Sequence, residues 1–186
     1  EVIGADILKF NLETLKLKSF EYRVVANIPY YLTSTLIKKF LTSPARPSLL
    51  ILMVQKEVAR RIVTKEPNLN ILALSVQFFG QPKIISLVAK ENFWPKPKVD
   101  SAILKIEVAK NNPHQKLEDI FFKLVKAAFA KKRKILINSL LYSLKMPKNE
   151  ILKLLRSSDI KPGARAQEIS LEAWIKLAAQ AENSTL

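Results

Sequence analysis

Two short apolar runs, each followed by a stretch of helical periodicity, organise the first part of the chain. The first, "RVVANI" at residues 23–28, is rich in β-branched residues and stops at Pro29, which predicts a buried strand. Beyond it Leu32, Leu36, Ile37, Phe40 and Leu41 fall on one helical stripe, with Thr33 or Ser34 placed to cap the helix. "SPARPS" at 43–48 breaks that helix. The second run, "LLILMVQ" at 49–55, precedes "KEVARRIV", in which Val58, Ile62 and Val63 share one side. Strand, helix, strand, helix predicts an α/β arrangement: a parallel sheet covered on both faces.

The pattern then changes. Residues 83–89 and 99–108 read as strands of an antiparallel edge, with breaks at "GQP" and "WPKPK". The run 71–79 fits a helix packed on the sheet, although periodicity alone leaves it open. "AKNNPHQK" at 109–116 is the linker, which divides the chain into domains 1–112 and 113–186. The second domain is all helical. Leu117, Ile120, Phe121, Leu124, Val125 and Ala128 follow the 3–4 spacing, and Ile135, Leu136, Leu140, Leu141 and Leu144 do so again. "KNEILKLLRSS" and "SLEAWIKLAAQAE" add two shorter helices around "DIKPGARAQEI".

Charge changes the picture most. Thirty-one Lys and Arg against sixteen Asp and Glu give a net charge of +15 in 186 residues. The excess is spread over both domains, with 17 basic and 9 acidic residues in 1–112 and 14 and 7 in 113–186. A polyanionic partner is the natural reading, because neutralised phosphates release condensed counterions. A generally lysine-rich, soluble surface is the competing one. The chain has no cysteine and one histidine, His114 in a loop-like stretch. That removes disulfides and a thiol nucleophile, argues against a metal site or a Ser-His-Asp triad, and is compatible with a reducing cytoplasm. No apolar run approaches the roughly 20 residues of a membrane helix, and the first residues lack a secretory pattern.

The tetrapeptide Asn27-Ile28-Pro29-Tyr30 is where candidate chemistry concentrates. In a parallel sheet, ligands gather beyond the carboxyl ends of the strands. Asn27 offers a neutral carbonyl acceptor. Pro29 fixes φ and helps aim the Ile28 carbonyl. Tyr30 offers a flat face for a base. Two acceptors holding the hydrogens of a purine amine would favour a tetrahedral nitrogen with an available lone pair, and no strong base is then needed. A turn with a self-capping asparagine and a core tyrosine accounts equally for the four residues alone.

The words "NIPYYLTSTLI", "MVQKEVARRI", "FWPKPKVDSAILKI", "AFAKKRKILINSL" and "DIKPGARAQEISLEAW" follow one another along the chain. Together they resemble the rRNA adenine N6-dimethyltransferases of the KsgA type, over nearly the whole chain. The resemblance implies the C-terminal part of a Rossmann-like class I methyltransferase sheet followed by a small all-α, rRNA-binding domain. It implies S-adenosylmethionine as methyl donor, and as substrate two adjacent adenines of small-subunit rRNA or the pre-ribosomal small subunit, hence a role in ribosome biogenesis. By resemblance, Asn27 and the Ile28 carbonyl would hold the target amine, Tyr30 would stack on the flipped adenine, and Phe93 would supply the opposite face. Asp6, in "VIGADIL", would contact the adenine amine of the donor, while the segment alone fits a loop aspartate capping a turn equally well. The basic run Lys131, Lys132, Arg133 and Lys134 would meet phosphates; Lys56, Arg60 and Arg61 form a second basic group, for which ordinary solvated helix charge is the competing reading. A helix beginning near Lys132 would set four cations against its macrodipole, a strain that phosphate would relieve. One continuous helix over 117–144, with the run merely solvated, is the alternative.

Two departures accompany the resemblance. The family's donor site opens with a glycine-rich loop, and none of Gly4, Gly80 and Gly163 belongs to a Gly-x-Gly sequence. The expectation is an N-terminally truncated chain that binds the donor weakly or not at all, is inactive alone, and has an exposed sheet edge open to self-association. Ile71-Leu72 also stands where relatives often carry Tyr-Gly, which bears on RNA contacts around 68–76. Two rival functions remain: a large-subunit rRNA methylase of the erythromycin-resistance type, and a non-catalytic rRNA-binding assembly factor.

Overall fold

In the computed structural model of the chain, residues 1–131 and 134–183 are described. They form two compact units, 1–63 with 76–111 and 64–75 with 112 onward.

The first unit is built on a four-stranded sheet: β1 (Arg23–Asn27), β2 (Leu49–Gln55), β3 (Gly80–Val88) and β4 (Ser101–Val108), in the order β1-β2-β4-β3. β1 and β2 are parallel; β4 runs antiparallel to both β2 and β3. Helices α1 (Thr33–Leu41) and α2 (Lys56–Val63) follow β1 and β2. The valine-rich strand, its stop at proline and the antiparallel edge therefore appear as the sequence predicts. The two central strands bury one face, through Leu50, Leu52 and Val54 of β2 and Ala102, Leu104 and Ile106 of β4. Alternate residues of β2 are only half-buried, and on β4 Lys105 lies 2.5 Å from Glu107 in an ion pair. Among the described residues, one face of the central strands is thus buried and the other half-buried. Hydrophobic runs in β2 conceal this, because Ile51 and Met53 are as apolar as their buried neighbours.

Two local expectations also change. No side chain caps α1: a 3-10 turn over Tyr30–Leu32 leads straight into the helix, and the Thr33 hydroxyl donates backwards to the Tyr30 carbonyl at 3.0 Å. The "GQP" break lies inside β3, where Gly80 pairs with Val108 and Pro82 with Ile106. β3 is an edge strand, so Pro82 is tolerated there.

The second unit holds α4 (Glu118–Phe129), α5 (Leu136–Leu144), α6 (Lys148–Ser157) and α7 (Leu171–Glu182). Phe121, Leu124, Leu136, Leu155, Trp174 and Leu177 are among its buried core side chains. Residues 64–75 belong to it by contact, with the Leu69 N–H donating to the Gln167 carbonyl at 3.0 Å. The run 71–79 is helical as α3 (Ile71–Gln77), with Ala73 N–H bound to the Asn70 side chain at 3.1 Å. Residues 117–144 are not one helix: α4 stops at Phe129 and α5 starts at Leu136, not near Lys132, so the basic run precedes α5 and does not occupy its first turn. No helix among the described residues is long and apolar enough to cross a membrane.

Candidate active site

Strand register decides what meets at the end of the sheet. Asn27, the last residue of β1, lies opposite Met53 of β2, and Gln55 of β2 lies opposite Ser101, the first residue of β4. The carboxyl ends of the parallel pair and the start of β4 are therefore one edge of the sheet, the place where α/β proteins hold ligands. The turn after β1 and the loop before β4 both open there.

Asn27, Ile28, Pro29 and Tyr30 from the first segment and Phe93, Pro95 and Pro97 from the second line one open cleft of about 330 Å³. That is within the size of small-ligand sites, about 300–1,000 Å³. Asn27 is exposed, and its side chain has no hydrogen-bond partner among the described residues. Pro29 holds φ −54° and ψ 133°, and its carbonyl accepts from Leu32 N–H at 2.9 Å. Ile28 is buried, so its side chain anchors the turn. Tyr30 and Phe93 are half-buried, each showing part of its ring to the cleft.

Residues that the motif reading did not single out hold both aromatic walls. The Tyr30 hydroxyl shares a 2.8 Å hydrogen bond with Ser101 Oγ, and Ser101 is fully buried. Asp100 clamps the loop that carries Phe93: its Oδ1 accepts from Lys90 N–H at 3.3 Å and its Oδ2 from Lys56 Nζ at 3.2 Å. The Asp100 carbonyl also accepts from Lys56 N–H at 3.0 Å. The Lys90 N–H, followed by the Lys56 ammonium, holds the Asp100 carboxyl below its usual range. Both residues stand in "VDS" at the start of a predicted strand, but only the strand order reveals what they touch.

Asp6 is not among the residues lining this cleft. It starts a turn in which its Oδ1 accepts from Leu8 N–H at 2.9 Å and its carbonyl from Phe10 N–H at 2.8 Å. Lys39 of α1 fastens the same turn by donating to the carbonyls of Leu8, at 2.9 Å, and Phe10, at 2.5 Å. A larger hollow of about 370 Å³ lies against β1, lined by Ile3, Ile7, Leu15, Val24, Val25 and Phe40 among others. It is mostly apolar, without the convergent polar groups of a reactive site.

The basic candidates are dispersed. Lys56 is engaged with Asp100, and Arg60 pairs with Glu57 of its own helix at 2.9 Å. Arg61 is exposed on the same helix. In the second unit, Lys131 stands with its ammonium 3.3 Å from the centre of the Tyr142 ring, a cation–π contact. Lys134 donates its N–H to the Lys131 carbonyl at 3.0 Å and lines a small pocket with Asn68, Phe129 and Arg165. Lys132 and Arg133 lie outside the described residues.

Comparison with known proteins agrees with this architecture. A Ribosomal RNA small subunit methyltransferase A from Dehalococcoides mccartyi is 41% identical over 177 residues, covering 95% of this chain and 61% of that protein. The chain thus spans about three fifths of the length of such curated relatives. The crystal structure of a dimethyladenosine transferase from Plasmodium falciparum matches with a TM-score of 0.83 at 24% identity, over 100% of this chain and 74% of that one. The 23S rRNA methyltransferase ErmE matches with a TM-score of 0.71 at 22% identity, over 98% and 72%. At those identities the two structures speak for the fold, a Rossmann-like methyltransferase sheet. The sequence pattern of the family described as "Ribosomal RNA adenine dimethylase", a group of S-adenosylmethionine-dependent methyltransferases, matches residues 1–183, and the chain belongs to that family.

Proposed function

We propose that this chain carries the target-base half of an enzyme that dimethylates the N6 amine of adenines in small-subunit rRNA. The convergence of Asn27, Ile28, Tyr30 and Phe93 on one cleft, from segments more than sixty residues apart, carries the reading. Asn27 Oδ1 and the Ile28 carbonyl are the two neutral acceptors for the amine hydrogens. Tyr30 and Phe93 offer ring faces to an extruded base, and stacking offsets the few kcal/mol that extrusion costs. The fixed turn at Pro29 keeps the Ile28 carbonyl aimed while the nitrogen becomes tetrahedral.

The donor, when bound, supplies an electrophilic methyl group. Asp6 fits its adenine end: Leu8 N–H engages Oδ1, leaving Oδ2 as an acceptor for an exocyclic amine. Asn27 is the second residue assigned to that site. The net charge of +15 and the relatives' designation support small-subunit rRNA as substrate. Lys131, Lys132, Arg133, Lys134, Arg60 and Arg61 are proposed phosphate contacts, whereas Lys56 also braces Asp100. The helical second unit is assigned to rRNA binding, the open edge of β1 to self-association, and the working compartment to the cytoplasm.

The test is methyl transfer to isolated small and large ribosomal subunits by the longest form of the protein that its gene encodes. Transfer to small subunits, lost by about a hundredfold or more in Asn27→Ala with little change in RNA affinity, is expected. Full activity of Asn27→Ala would refute the amine-gripping role; transfer to large subunits alone would move the substrate to the other particle.

A further inference from the structure

Each ring that faces the cleft is followed in sequence by an aromatic residue turned out to solvent. Tyr31, after Tyr30, is 83% exposed; Trp94, between the cleft residues Phe93 and Pro95, is 97% exposed. The contrast with Trp174, which is fully buried, is complete. A large indole left in water forgoes the burial that favours its placement in a core, and Trp residues are highly buried on average. Loop strain does not explain the choice of residue, since any side chain would fit so open a position.

The loop that carries Trp94 also carries Lys90, Lys96 and Lys98. Lys90 and Lys98 line a pocket of about 280 Å³ together with Glu57 and the Lys56–Asp100 pair. Lys98 has no ion-pair partner among the described residues, whereas Lys96 is neutralised by Glu91 at 2.8 Å. Exposed rings beside lysines are the elements from which single-stranded nucleic acid surfaces are made: bases stack, and cations follow the backbone. The loop around the indole, Lys90 to Lys98, carries three lysines against the single acid Glu91, a balance that suits a phosphate backbone better than an uncharged partner surface.

We infer that Trp94 and Tyr31 form a second stacking site, outside the cleft, for the unpaired RNA bases that flank the target adenine. The inference rests on the proposed base-binding function of the cleft and deepens it. One ring pair takes the extruded base and the outer pair holds its neighbours apart from it. The duplex-like stack on both sides of the target is thereby exchanged for protein rings, which lowers the cost of extrusion.

The experiment uses the 186-residue chain and a short single-stranded RNA oligonucleotide with 2-aminopurine at the target position. Because Trp174 is fully buried, acrylamide quenching of tryptophan emission reports Trp94. Saturating RNA is expected to shield Trp94 from acrylamide several-fold, and Trp94→Ala to weaken RNA binding by about five- to a hundredfold, with Trp94→Phe restoring most of it. An oligonucleotide abasic at the flanking positions should bind the wild-type chain as weakly as the intact one binds Trp94→Ala. Unchanged acrylamide access, or unchanged affinity of Trp94→Ala, would overturn the inference. So would shielding by whole small subunits but by no oligonucleotide, which would assign Trp94 to a protein partner. Phe93→Ala separates the two readings. If Trp94 is shielded by RNA but the 2-aminopurine signal is indifferent to Phe93→Ala, the outer site stands and the cleft reading falls. If the signal depends on Phe93 but not on Trp94, the outer site falls alone.

Discussion

The hydroxyl of Tyr30 and Oγ of Ser101 lie 2.8 Å apart, joining the turn after β1 to the first residue of β4 across the intervening strand β2. Tyr30 is thereby held at both ends: its backbone carbonyl accepts from Thr33 and its ring tip is bound to a fully buried serine. The proposed stacking of a base on this ring would then carry little cost of ordering the side chain.

Removing either partner should loosen the ring. Ser101→Ala and Tyr30→Phe are each expected to cost about 0.5–1.5 kcal/mol of stability in urea unfolding. Each should also weaken binding of 2-aminopurine RNA several-fold. The double variant should cost less than the sum of the two, because one bond is being counted twice. Strict additivity would show that the hydrogen bond does not position Tyr30.

Asp100 makes a pH-dependent contribution with a defined sign. Lys90 N–H and the Lys56 ammonium depress its pKa in the folded protein. The contribution is therefore complete above the ordinary carboxylate value, about 4, and is lost as pH falls through the lower native value. Asp100→Asn should flatten the fall of stability with acidification in that window and leave the slope above about pH 6 unchanged. Urea midpoints measured from pH 7 down to acid provide the check; identical profiles for the two proteins would exclude the clamp.

Gly80 is required by close approach. A Cβ there would stand 2.2 Å from the Glu107 carbonyl oxygen and 3.0 Å from Val108 Cα, both backbone atoms that cannot swing aside. Gly80→Ala should cost about 1–3 kcal/mol, read as a lowered thermal midpoint. Gly163 has nothing within 4 Å of such a Cβ, so Gly163→Ala serves as the neutral control.

β1 is an edge strand among the described residues, and this yields a prediction about association. Val25, in the middle of that strand, is 75% exposed. Concentration-dependent self-association by light scattering is expected, and Val25→Lys should suppress it by placing a charge on the edge. A strictly monomeric wild-type chain at high concentration would show that the edge is protected in another way.

How much of this was legible in the residues varies with the distance over which the cause acts. β1, α1, β2 and α2 could be read off because β-branched runs, Pro29 and the stripe of Leu36, Ile37, Phe40 and Leu41 act locally. The break between α4 and α5 was legible only roughly, since apolar spacing is helical on both sides of Lys131 and does not say that α5 waits until Leu136. Gly80-Gln81-Pro82 looked like a turn because its two strongest breakers are accommodated only by long-range facts, the passing backbone of β4 and the free edge of β3. The meeting of Asn27 and Tyr30 with Phe93 followed from family resemblance, and the geometry gives it a cause in strand register. The parts of Ser101 and Asp100 needed the strand order, which local pattern does not encode.

That strand order also sets a timetable. β4 pairs with β2, made some fifty residues earlier, so the opposite wall of the cleft is secured only once Ser101 has emerged and inserted. Such distant pairings close slowly compared with neighbouring ones. A nascent chain that has finished β1, α1 and β2 therefore presents Asn27 and Tyr30 with no facing wall, so the proposed capture of an RNA base would have to wait for β4.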